Sequence, residues 1–380
     1  MTRNSDRIGV GIVGCGNISG AYFRGLERFD GLRIVGCTDL STDLARAAGE
    51  RYGVRVFDSV EALAADDEVD ILVNLTPPLA HESVTRALLA TGKHVFTEKP
   101  LTASFATAAP LVAEAEERGV LFGSAPDTFL GSAGQTARAA VDEGLIGEVI
   151  GASAFVTHSK AELWHPDPTF LFTPGGGPAL DMGPYYIAAL VNLLGPVASV
   201  YASARIGSTV RPVSTPGRRV ESIDVTIPTH ASATLDFASD AIGTVLASFD
   251  VWDHQLPFIE LYGSKGTLSV PDPNNYDDTV KVRLHGDTAW RELAPVIDGF
   301  TDGVLEELLP LRGPGVADLA GALDGEPFRT SAGFALHVLE VLDAIANGTD
   351  GVHTLTTTCE RPAPSTATWT SATAKETANA

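Results

Sequence analysis

The chain contains few cysteines and no long apolar run. Its 380 residues include three cysteines, Cys15, Cys37 and Cys359, scattered singly without CxxC spacing. Neither a disulfide framework nor a zinc site is therefore expected, and we predict no metal. There is no run of roughly eighteen apolar residues, and the N-terminus passes directly into strand-like sequence without a signal-type segment. We expect a cytoplasmic protein that is not inserted in a membrane.

Positive charge is also scarce. Lys and Arg number 26 against 48 Asp and Glu, so the formal net charge at pH 7 is −22. A field of this sign repels nucleic acid and anionic membrane surfaces. We therefore expect neither nucleic acid nor a membrane as a partner.

Apolar residues, in contrast, are sufficient for more than one core. A chain of 380 residues that is 44% hydrophobic predicts two domains. Short apolar runs alternate with amphipathic segments through the first third, a pattern typical of a parallel sheet with crossover helices. The predicted strands are 7–14, 32–39, 70–77, 94–99 and 120–125, and the predicted helices are 19–29, 41–52, 59–65, 79–91 and 103–118. This order predicts a doubly wound α/β domain of the Rossmann type over residues 1–127, with its ligand site at the carboxyl ends of the strands.

The pattern changes after about residue 127. Longer alternating strands joined by short turns indicate an open, mostly antiparallel sheet, with helices near 132–144, 315–324 and 331–347. We predict an α+β domain over residues 128–355. Residues 356–380 are rich in Thr, Ala, Ser and Pro without periodicity, so we predict a low-complexity C-terminal tail.

Glycines concentrate at the end of the first predicted strand, in "GIVGCGNISGAY". Gly14, Gly16 and Ser19 occupy the three positions of a GxGxxG fingerprint between a strand and a helix, the context that this motif requires. Gly14 permits the tight turn, and Gly16 lets a pyrophosphate approach the backbone. Ser19 departs from glycine at the third position. Asn17 and Ile18 complete the loop before the helix N-terminus, and we predict that they also contact the cofactor.

A glycine-rich turn also arises by chance, and Asp39 is the residue that favours dinucleotide binding. It ends the second predicted strand about twenty residues after the loop, where a carboxylate accepts hydrogen bonds from the adenosine ribose and repels a 2′-phosphate. No arginine follows it immediately. We therefore predict NAD rather than NADP as the cofactor.

A lysine stands at the end of the fifth predicted strand, in "EKP". Lys99 follows Glu98 at the ligand edge of the sheet. A cation in this place can bind a substrate hydroxyl and help to move its proton. The alternative is a solvated surface lysine paired with its neighbour.

The stretch "GGGPALDMGPYY" (175–186) surrounds one carboxylate with glycines, prolines and tyrosines. A helix over about 180–194 would place Asp181 in its first turn, where the helix dipole favours it. Asp181 and Tyr185 would then lie at i and i+4 on one helix face, within reach of the same small ligand. The alternative is a plain helix start, with Tyr185 and Tyr186 packed in the core.

These motifs together resemble the family of glucose–fructose oxidoreductase, inositol dehydrogenase and MocA (Gfo/Idh/MocA). The resemblance extends from residue 7 to about 350, and it includes "LTPPLAH" (75–81) besides the motifs above. It implies an NAD-dependent oxidoreductase that acts on a small carbohydrate and forms a homodimer or homotetramer. The second domain would then serve substrate binding and oligomerisation.

The resemblance also implies roles for individual residues. Thr76, Pro77 and His81 would line the cofactor or the mouth of the site. Glu98 and Lys99 would lie beside the cofactor, with Lys99 on both the substrate and the nicotinamide.

Asp181 and Tyr185 would complete the catalytic and substrate-binding set with Lys99. The family usually has histidine where this chain has Tyr185. A free tyrosine is mostly protonated near neutral pH, unlike histidine. Either Tyr185 moves the proton with help from a cation such as Lys99, or Lys99 itself carries the proton.

The segment "HSKAELWHPDPTF" (158–170) offers further candidates. Lys160, Trp164 and His165 are possible pocket residues, because an aromatic plane beside polar groups suits a sugar ring. An irregular connecting loop is the alternative. His337, in the last predicted helix, is interpreted as a core histidine.

The function expected from these observations is hydride transfer to or from a ring carbon of a sugar, glycoside or cyclitol. An alternative implied by the same resemblance is a redox-neutral, NAD-dependent glycoside hydrolase. Such an enzyme would oxidise a pyranoside such as a sulfoquinovoside and eliminate its C1 substituent. Addition of water and re-reduction of the sugar would then complete the hydrolysis. The residues above are compatible with either reaction.

Overall fold

The computed structural model of the protein describes residues 7–157, 161–300 and 311–365. Its N-terminal part contains a six-stranded parallel sheet. The strands are β1 (Ile8–Val13), β2 (Leu32–Thr38), β3 (Arg55–Val56), β4 (Ile71–Asn74), β5 (His94–Thr97) and β6 (Phe122–Ser124). The helices are α1 (Ser19–Leu26), α2 (Thr42–Tyr52), α3 (Val60–Ala64), α4 (His81–Leu89) and α5 (Phe105–Arg118).

The strand order identifies the ligand edge of this sheet. The strands lie in the order β3-β2-β1-β4-β5-β6, so the winding reverses between β1 and β4. Ligands bind at the carboxyl ends of the strands near such a reversal. Every residue of β1 and β4 is buried, as expected for parallel strands covered on both faces. The predicted doubly wound fold is confirmed, and β3, a two-residue exposed strand, was too short to leave an apolar pattern.

The second part contains a nine-stranded mixed sheet and a separate two-stranded ribbon. The strands are β7 (Val149–Thr157), β8 (Val197–Arg205), β9 (Val210–Pro212), β10 (Ser222–Asp224), β11 (His230–Phe237), β12 (Ile242–Ser248), β13 (Ile259–Gly263), β14 (Gly266–Val270), β15 (Lys281–Leu284), β16 (Arg291–Glu292) and β17 (His353–Thr354). The helices are α6 (Ser132–Asp142), α7 (Ala161–Trp164), α8 (Pro178–Asp181), α9 (Gly183–Leu194), α10 (Pro314–Leu323) and α11 (Ala332–Asn347).

The order in the large sheet is β16-β15-β14-β13-β7-β12-β11-β8-β17. Only β7 and β12 pair in parallel among the described strands of this sheet, so the prediction of a mostly antiparallel sheet is confirmed. One face of the sheet is covered by α9 and α11, and all twelve residues of α9 are buried. Within the described ranges, no helix is both long and apolar enough to cross a membrane.

Helix α10 belongs to the predicted second domain by sequence but packs on the first domain. Its residues Val316 and Leu319 lie in the same apolar cluster as Val10 and Ile12 of β1. The chain therefore returns to the first domain before α11. Because of this return, residues adjacent to α10 lie at the boundary between the first and the second domain, although they are distant in sequence from the first domain.

Residues 356–365, the start of the predicted tail, are hydrogen-bonded to the second domain. The amides of Thr356 and Thr357 each donate to the carboxylate of Glu340, both at 2.8 Å. Arg138 Nη1 donates to the main-chain oxygen of Pro362 at 2.6 Å. Residues 366–380 of the predicted tail lie outside the described residues.

Candidate active site

The glycine-rich loop leaves space for a pyrophosphate at the start of α1. Gly14 has a φ of +99°, and a Cβ there would lie 2.8 Å from the carbonyl carbon of Leu75, so only glycine fits without strain. A Cβ at Gly16 would meet nothing within 4 Å. Gly16 and Asn17 are exposed, and Ile18, which precedes α1, is half-buried. The open backbone before a helix N-terminus fits an anionic cofactor group.

Asp39 is held at the end of β2, facing this loop. Its Oδ2 accepts from the Cys15 amide and its Oδ1 from the Ser41 amide, both at 2.7 Å. These two bonds orient a charged carboxylate beside the glycine-rich loop, where an adenosine ribose lies in dinucleotide folds. The side chain of Leu40 beside it is fully exposed. The residues at this edge therefore fit NAD.

The loop after β4 carries the next predicted cofactor residues. Thr76 is half-buried, with its amide and hydroxyl both bonded to Asn74 Oδ1, and Pro77 is exposed. His81 differs from the prediction, because it is completely buried and does not line the mouth of the site. Its Nδ1 lies 2.7 Å from the main-chain oxygen of Pro100, and its Nε2 lies 2.8 Å from that of Thr76. It therefore ties the loops after β4 and β5 together from inside.

Glu98 also faces inward. Its Oε1 accepts from the hydroxyl of Tyr22 at 2.9 Å, and its Oε2 accepts from the Lys99 amide at 2.9 Å. Tyr22 lies in α1, directly after the glycine-rich loop. Glu98 thus links α1 to the backbone of Lys99.

Lys99 meets Asp181 at the boundary between the two parts of the chain. Its Nζ lies 3.1 Å from Asp181 Oδ1 and donates to the main-chain oxygen of Asp181 at 2.6 Å. The side chains are 16% and 29% exposed, so both remain open to a ligand. Burial opposes the charge of Lys99, but Asp181, Tyr185 and Glu98 outweigh burial and hold the pKa of Lys99 above its ordinary value.

The helix around Asp181 differs from the prediction. Helix α8 ends at Asp181, Met182 forms a turn, and α9 begins at Gly183. Pro184 has no amide hydrogen to continue the helical ladder across this point. Asp181 therefore lies in the first and only turn of a short helix, as predicted for a helix start, but the predicted continuous helix over 180–194 is wrong. Asp181 and Tyr185 nevertheless both lie beside Lys99.

Tyr185 lies between two cations. Lys99 Nζ is 5.3 Å from the centre of its ring, and the guanidinium of Arg312 is 5.8 Å from it. Arg312 Nη2 is also 3.4 Å from the Tyr185 hydroxyl. Tyr185 is 6% exposed, whereas the neighbouring Tyr186 is completely buried. A phenol flanked by cations has the setting required to exchange a proton with a substrate.

Arg312 and the polar groups around it were not predicted from the sequence. Arg312 Nη2 donates to Asn274 Oδ1 at 2.8 Å, and its guanidinium lies 5.6 Å from the Tyr276 ring centre. The Tyr276 hydroxyl donates to Asp127 Oδ1 at 2.6 Å. Burial is the main influence on Asp127 and raises the pKa of its carboxyl. The only sequence signal was an arginine just before the Gly-Pro start of a helix.

Two of the predicted pocket residues, Trp164 and His165, lie on the segment before α8. Trp164 ends α7 with a 64% exposed side chain, and the His165 ring packs edge-on against Trp164 and Phe170. Within the described residues, no hydrogen bond or ring contact joins Trp164 or His165 to Lys99. Their contact with substrate stays a prediction, and Lys160 lies outside the described residues.

Family models match both parts of the chain. The model of an oxidoreductase family with an NAD-binding Rossmann fold matches residues 8–125, and that of the GFO/IDH/MocA C-terminal domain matches residues 135–269. Together they cover more than half of the chain. The chain belongs to the Gfo/Idh/MocA family. Its first domain is an NAD-binding Rossmann domain, and the predicted family, fold and cofactor class are confirmed.

Relatives of this Gfo/Idh/MocA protein act on sugars. The dTDP-3,4-didehydro-2,6-dideoxy-alpha-D-glucose 3-reductase of Actinomadura kijaniata is 34% identical over 200 residues, which are 50% of this chain and 58% of the reductase. The D-xylose 1-dehydrogenase (NADP(+)) 2 of Haloferax volcanii is 28% identical over 316 residues, 80% of this chain and 86% of that enzyme. The matched region is thus less than two thirds of the reductase.

A solved structure shares the whole architecture. A levoglucosan dehydrogenase in complex with NADH and levoglucosan superimposes with a TM-score of 0.73 and 18% identity. The superposition covers 89% of this chain and 96% of the dehydrogenase. At this identity the likeness establishes the fold alone.

Proposed function

We propose that the protein is an NAD-dependent oxidoreductase that transfers a hydride to or from a ring carbon of a sugar, glycoside or cyclitol. The observation that carries the proposal is the contact of Lys99 Nζ with Asp181 at the ligand edge of the NAD-binding sheet, 2.6 Å from its main-chain oxygen and 3.1 Å from Oδ1. The contact joins a cation of the cofactor domain to a carboxylate of the second domain. Neighbouring hydroxyls of a sugar ring suit such a pair, because one can donate to the carboxylate while the other meets the ammonium.

The proposed catalytic roles follow from the positions of Lys99, Asp181 and Tyr185. NAD, when bound, takes up or supplies the hydride. Lys99, kept charged by its neighbours, binds the oxygen of the reacting carbon. Asp181 orients the sugar through an adjacent hydroxyl. Tyr185, between Lys99 and Arg312, gives a proton to that oxygen in reduction and takes it back in oxidation.

The relatives support carbohydrate as the substrate class. The Actinomadura protein is named as a reductase of a keto-deoxysugar nucleotide, and the Haloferax protein as a xylose dehydrogenase. The first name describes reduction and the second oxidation of a sugar, so the test has to measure hydride transfer in both directions. We propose NAD rather than NADP for this chain, because Asp39 places a negative charge beside the loop where a 2′-phosphate would have to lie.

The first test combines a substrate screen with measurement of the cofactor. The purified protein is mixed with NAD and a panel of aldoses, anhydrosugars and inositols, and separately with NADH and ketosugars, while NADH absorbance is followed. Stoichiometric formation or loss of NADH supports the proposal. Release of the aglycone from a nitrophenyl glycoside with NAD present but without net NADH would instead establish the redox-neutral hydrolase.

The second test removes the lysine. Lys99→Met should lower kcat by about 10²–10³-fold, because the positioned charge that binds the oxygen of the reacting carbon is lost. Lys93→Met is the matched control, since the Lys93 ammonium donates to the main-chain oxygen of Val69 at 2.6 Å, before β5 rather than after it. Equal activity of the Lys99→Met and Lys93→Met variants would overturn the assignment of Lys99.

We also propose that the uncovered face of the nine-stranded sheet mediates assembly into a homodimer or homotetramer. Tyr201, Ile242 and Tyr262 are 51%, 55% and 37% exposed on strands of this sheet and lie on the same face of it. An exposed apolar group of this kind is typical of an interface. Light scattering after gel filtration tests it, and a monomer at micromolar concentration contradicts it.

A further inference from the structure

Arg312 is anchored to the dinucleotide-binding helix. Its amide donates to the main-chain oxygen of Ala21 in α1 at 3.1 Å. A Cβ added to Gly25 of the same helix would lie 1.9 Å from the main-chain oxygen of Arg312, so the two backbones are in direct contact. Because α1 begins at the glycine-rich loop, the backbone of Arg312 is fixed relative to the cofactor site.

The side chain of Arg312 reaches the second domain. It is buried, with 4% of the residue exposed, and its Nη2 lies 2.8 Å from Asn274 Oδ1 and 3.4 Å from the Tyr185 hydroxyl. The guanidinium lies over the rings of both Tyr185 and Tyr276. Arg312 therefore connects the helix that receives the cofactor to the phenol beside Lys99.

Within the described residues, the hydrogen-bond partners of the Arg312 guanidinium are all neutral. They are the hydroxyl of Tyr185, the amide oxygen of Asn274 and the main-chain oxygen of Leu311. The nearby carboxylate of Asp127 accepts instead from the Tyr276 hydroxyl and the Gly315 amide. A buried cation without a contacting anion is unfavourable unless another group supplies the charge.

Lys99, the other cation beside Tyr185, already has such a partner. Its ammonium is in contact with the carboxylate of Asp181. Burial opposes the charge of Arg312, but Tyr185, Tyr276 and Asp127 together hold the pKa of Arg312 above its ordinary value. Among the described residues, the Tyr185 oxygen is thus the contacting atom best placed to become an anion beside Arg312.

We propose that Arg312 is a positioning residue whose guanidinium supplies the counter-charge for the phenolate that Tyr185 carries during turnover. The inference rests on the proposed function. In reduction, bound NADH would supply a hydride to the carbonyl carbon of the sugar. The Tyr185 O–H bond breaks, its proton forms the new hydroxyl on the sugar, and the phenolate remains beside Arg312. In oxidation, the phenolate takes the hydroxyl proton as the hydride leaves.

A double-mutant cycle with Tyr185→Phe tests the coupling. Arg312→Gln should lower kcat about 10²-fold, because a buried charge opposite a developing anion is removed, while KM for NAD changes less than about threefold. In the Tyr185→Phe background, Arg312→Gln should have almost no further effect, since no phenolate forms. Losses that multiply in the double variant would overturn the proposal.

Three further variants guard against a purely structural effect. Arg312→Lys keeps the positive charge and should recover most of kcat, and guanidinium ion should partly restore Arg312→Ala. Arg291→Gln, on the exposed edge strand β16, removes an equal charge and should leave kcat unchanged. Failure of both Arg312→Lys and guanidinium to restore kcat, with NAD affinity intact, would overturn the role of the charge.

A spectroscopic measurement is independent of turnover. The tyrosinate absorbance of Tyr185 is obtained at one alkaline pH as the difference between wild type and Tyr185→Phe. The same difference in the Arg312→Gln background should be smaller, and this result is expected even if no sugar is turned over. An equal difference in both backgrounds overturns the inference, whereas missing turnover with a reduced difference would overturn only the proposed function.

Discussion

Lys99 Nζ is bonded to both the main chain and the carboxylate of Asp181, at 2.6 and 3.1 Å, across 82 residues of sequence. The main-chain bond places the ammonium, and the carboxylate keeps it charged. The two contributions can be separated by substitution. A change that removes only the carboxylate charge leaves the main-chain contact in place.

Asp181→Asn is expected to lower kcat about 10- to 100-fold, because the amide orients a sugar hydroxyl less strongly than a carboxylate does. It should also lower the pKa of Lys99, since Asp181 is one of the groups that hold it above its ordinary value. Lys99 would then lose its proton at a lower pH. The alkaline limb of the kcat profile should therefore move to lower pH, which is measured across a buffer series.

The control for this variant is Asp253→Asn, which removes the same charge from an exposed position. Its pH profile should coincide with that of wild type. An unmoved alkaline limb in Asp181→Asn would mean that Lys99 does not determine that limb.

The residues of this site that could be predicted from the sequence all lie in short contiguous motifs. The glycine-rich loop, Asp39 and Lys99 each follow a buried strand, and parallel strands bring their ends to one edge. Asp181 was found through its glycine- and proline-rich surroundings, although the helix break at Met182 was missed because Pro184 was treated as part of a continuous helix.

Arg312 could not be found in this way. It is separated from Tyr185 by 127 residues, and neither periodicity nor a motif connects the two positions. Their contact depends on the return of the chain to the first domain at α10, which is a tertiary feature. His81 shows the converse case, since a histidine beside the ligand edge is turned entirely into the interior.

Asp39 is expected to set the preference for NAD. In Asp39→Asn the negative charge beside the ribose is lost, so repulsion of a 2′-phosphate falls by about 1–2 kcal/mol. The ratio of kcat/KM for NADP to that for NAD should rise roughly tenfold. Asp43→Asn, which neutralises a largely exposed carboxylate in the following helix, is the control and should leave the ratio unchanged. An unchanged ratio in Asp39→Asn would remove Asp39 from cofactor selection.

Gly25 is expected to be intolerant of even one methyl group. The added Cβ of Gly25→Ala would lie 1.9 Å from the main-chain oxygen of Arg312, and backbone cannot move as freely as a side chain. The variant should lose about 1–3 kcal/mol of unfolding free energy. Gly31→Ala is the matched control, because its Cβ would meet nothing within 4 Å. Equal unfolding midpoints for the two variants in urea would contradict the close approach of α1 and residue 312.

His337 is expected to make the protein less stable on acidification. It is completely buried, its Nε2 accepts from the Val197 amide at 3.0 Å, and its Nδ1 lies 3.1 Å from Thr357 Oγ1. The accepting nitrogen must therefore be unprotonated in the fold. Burial is the main influence on this ring and lowers the pKa of His337 from the ordinary value of 6.5.

The sign of the pH effect follows from this lowered pKa. Below about pH 6.5 the unfolded chain binds a proton that the folded chain does not, so the free energy of unfolding falls by up to about 1.4 kcal/mol per pH unit. The fall continues until the pH reaches the lowered pKa of the folded state. His337→Gln should be less stable at pH 8 but lose less stability between pH 6.5 and 5, as urea unfolding at each pH would measure. His285→Gln, at an exposed position, should retain the wild-type slope. The buried His81 remains in all three proteins, so an unchanged slope in His337→Gln would show that His337 does not contribute to the acid sensitivity.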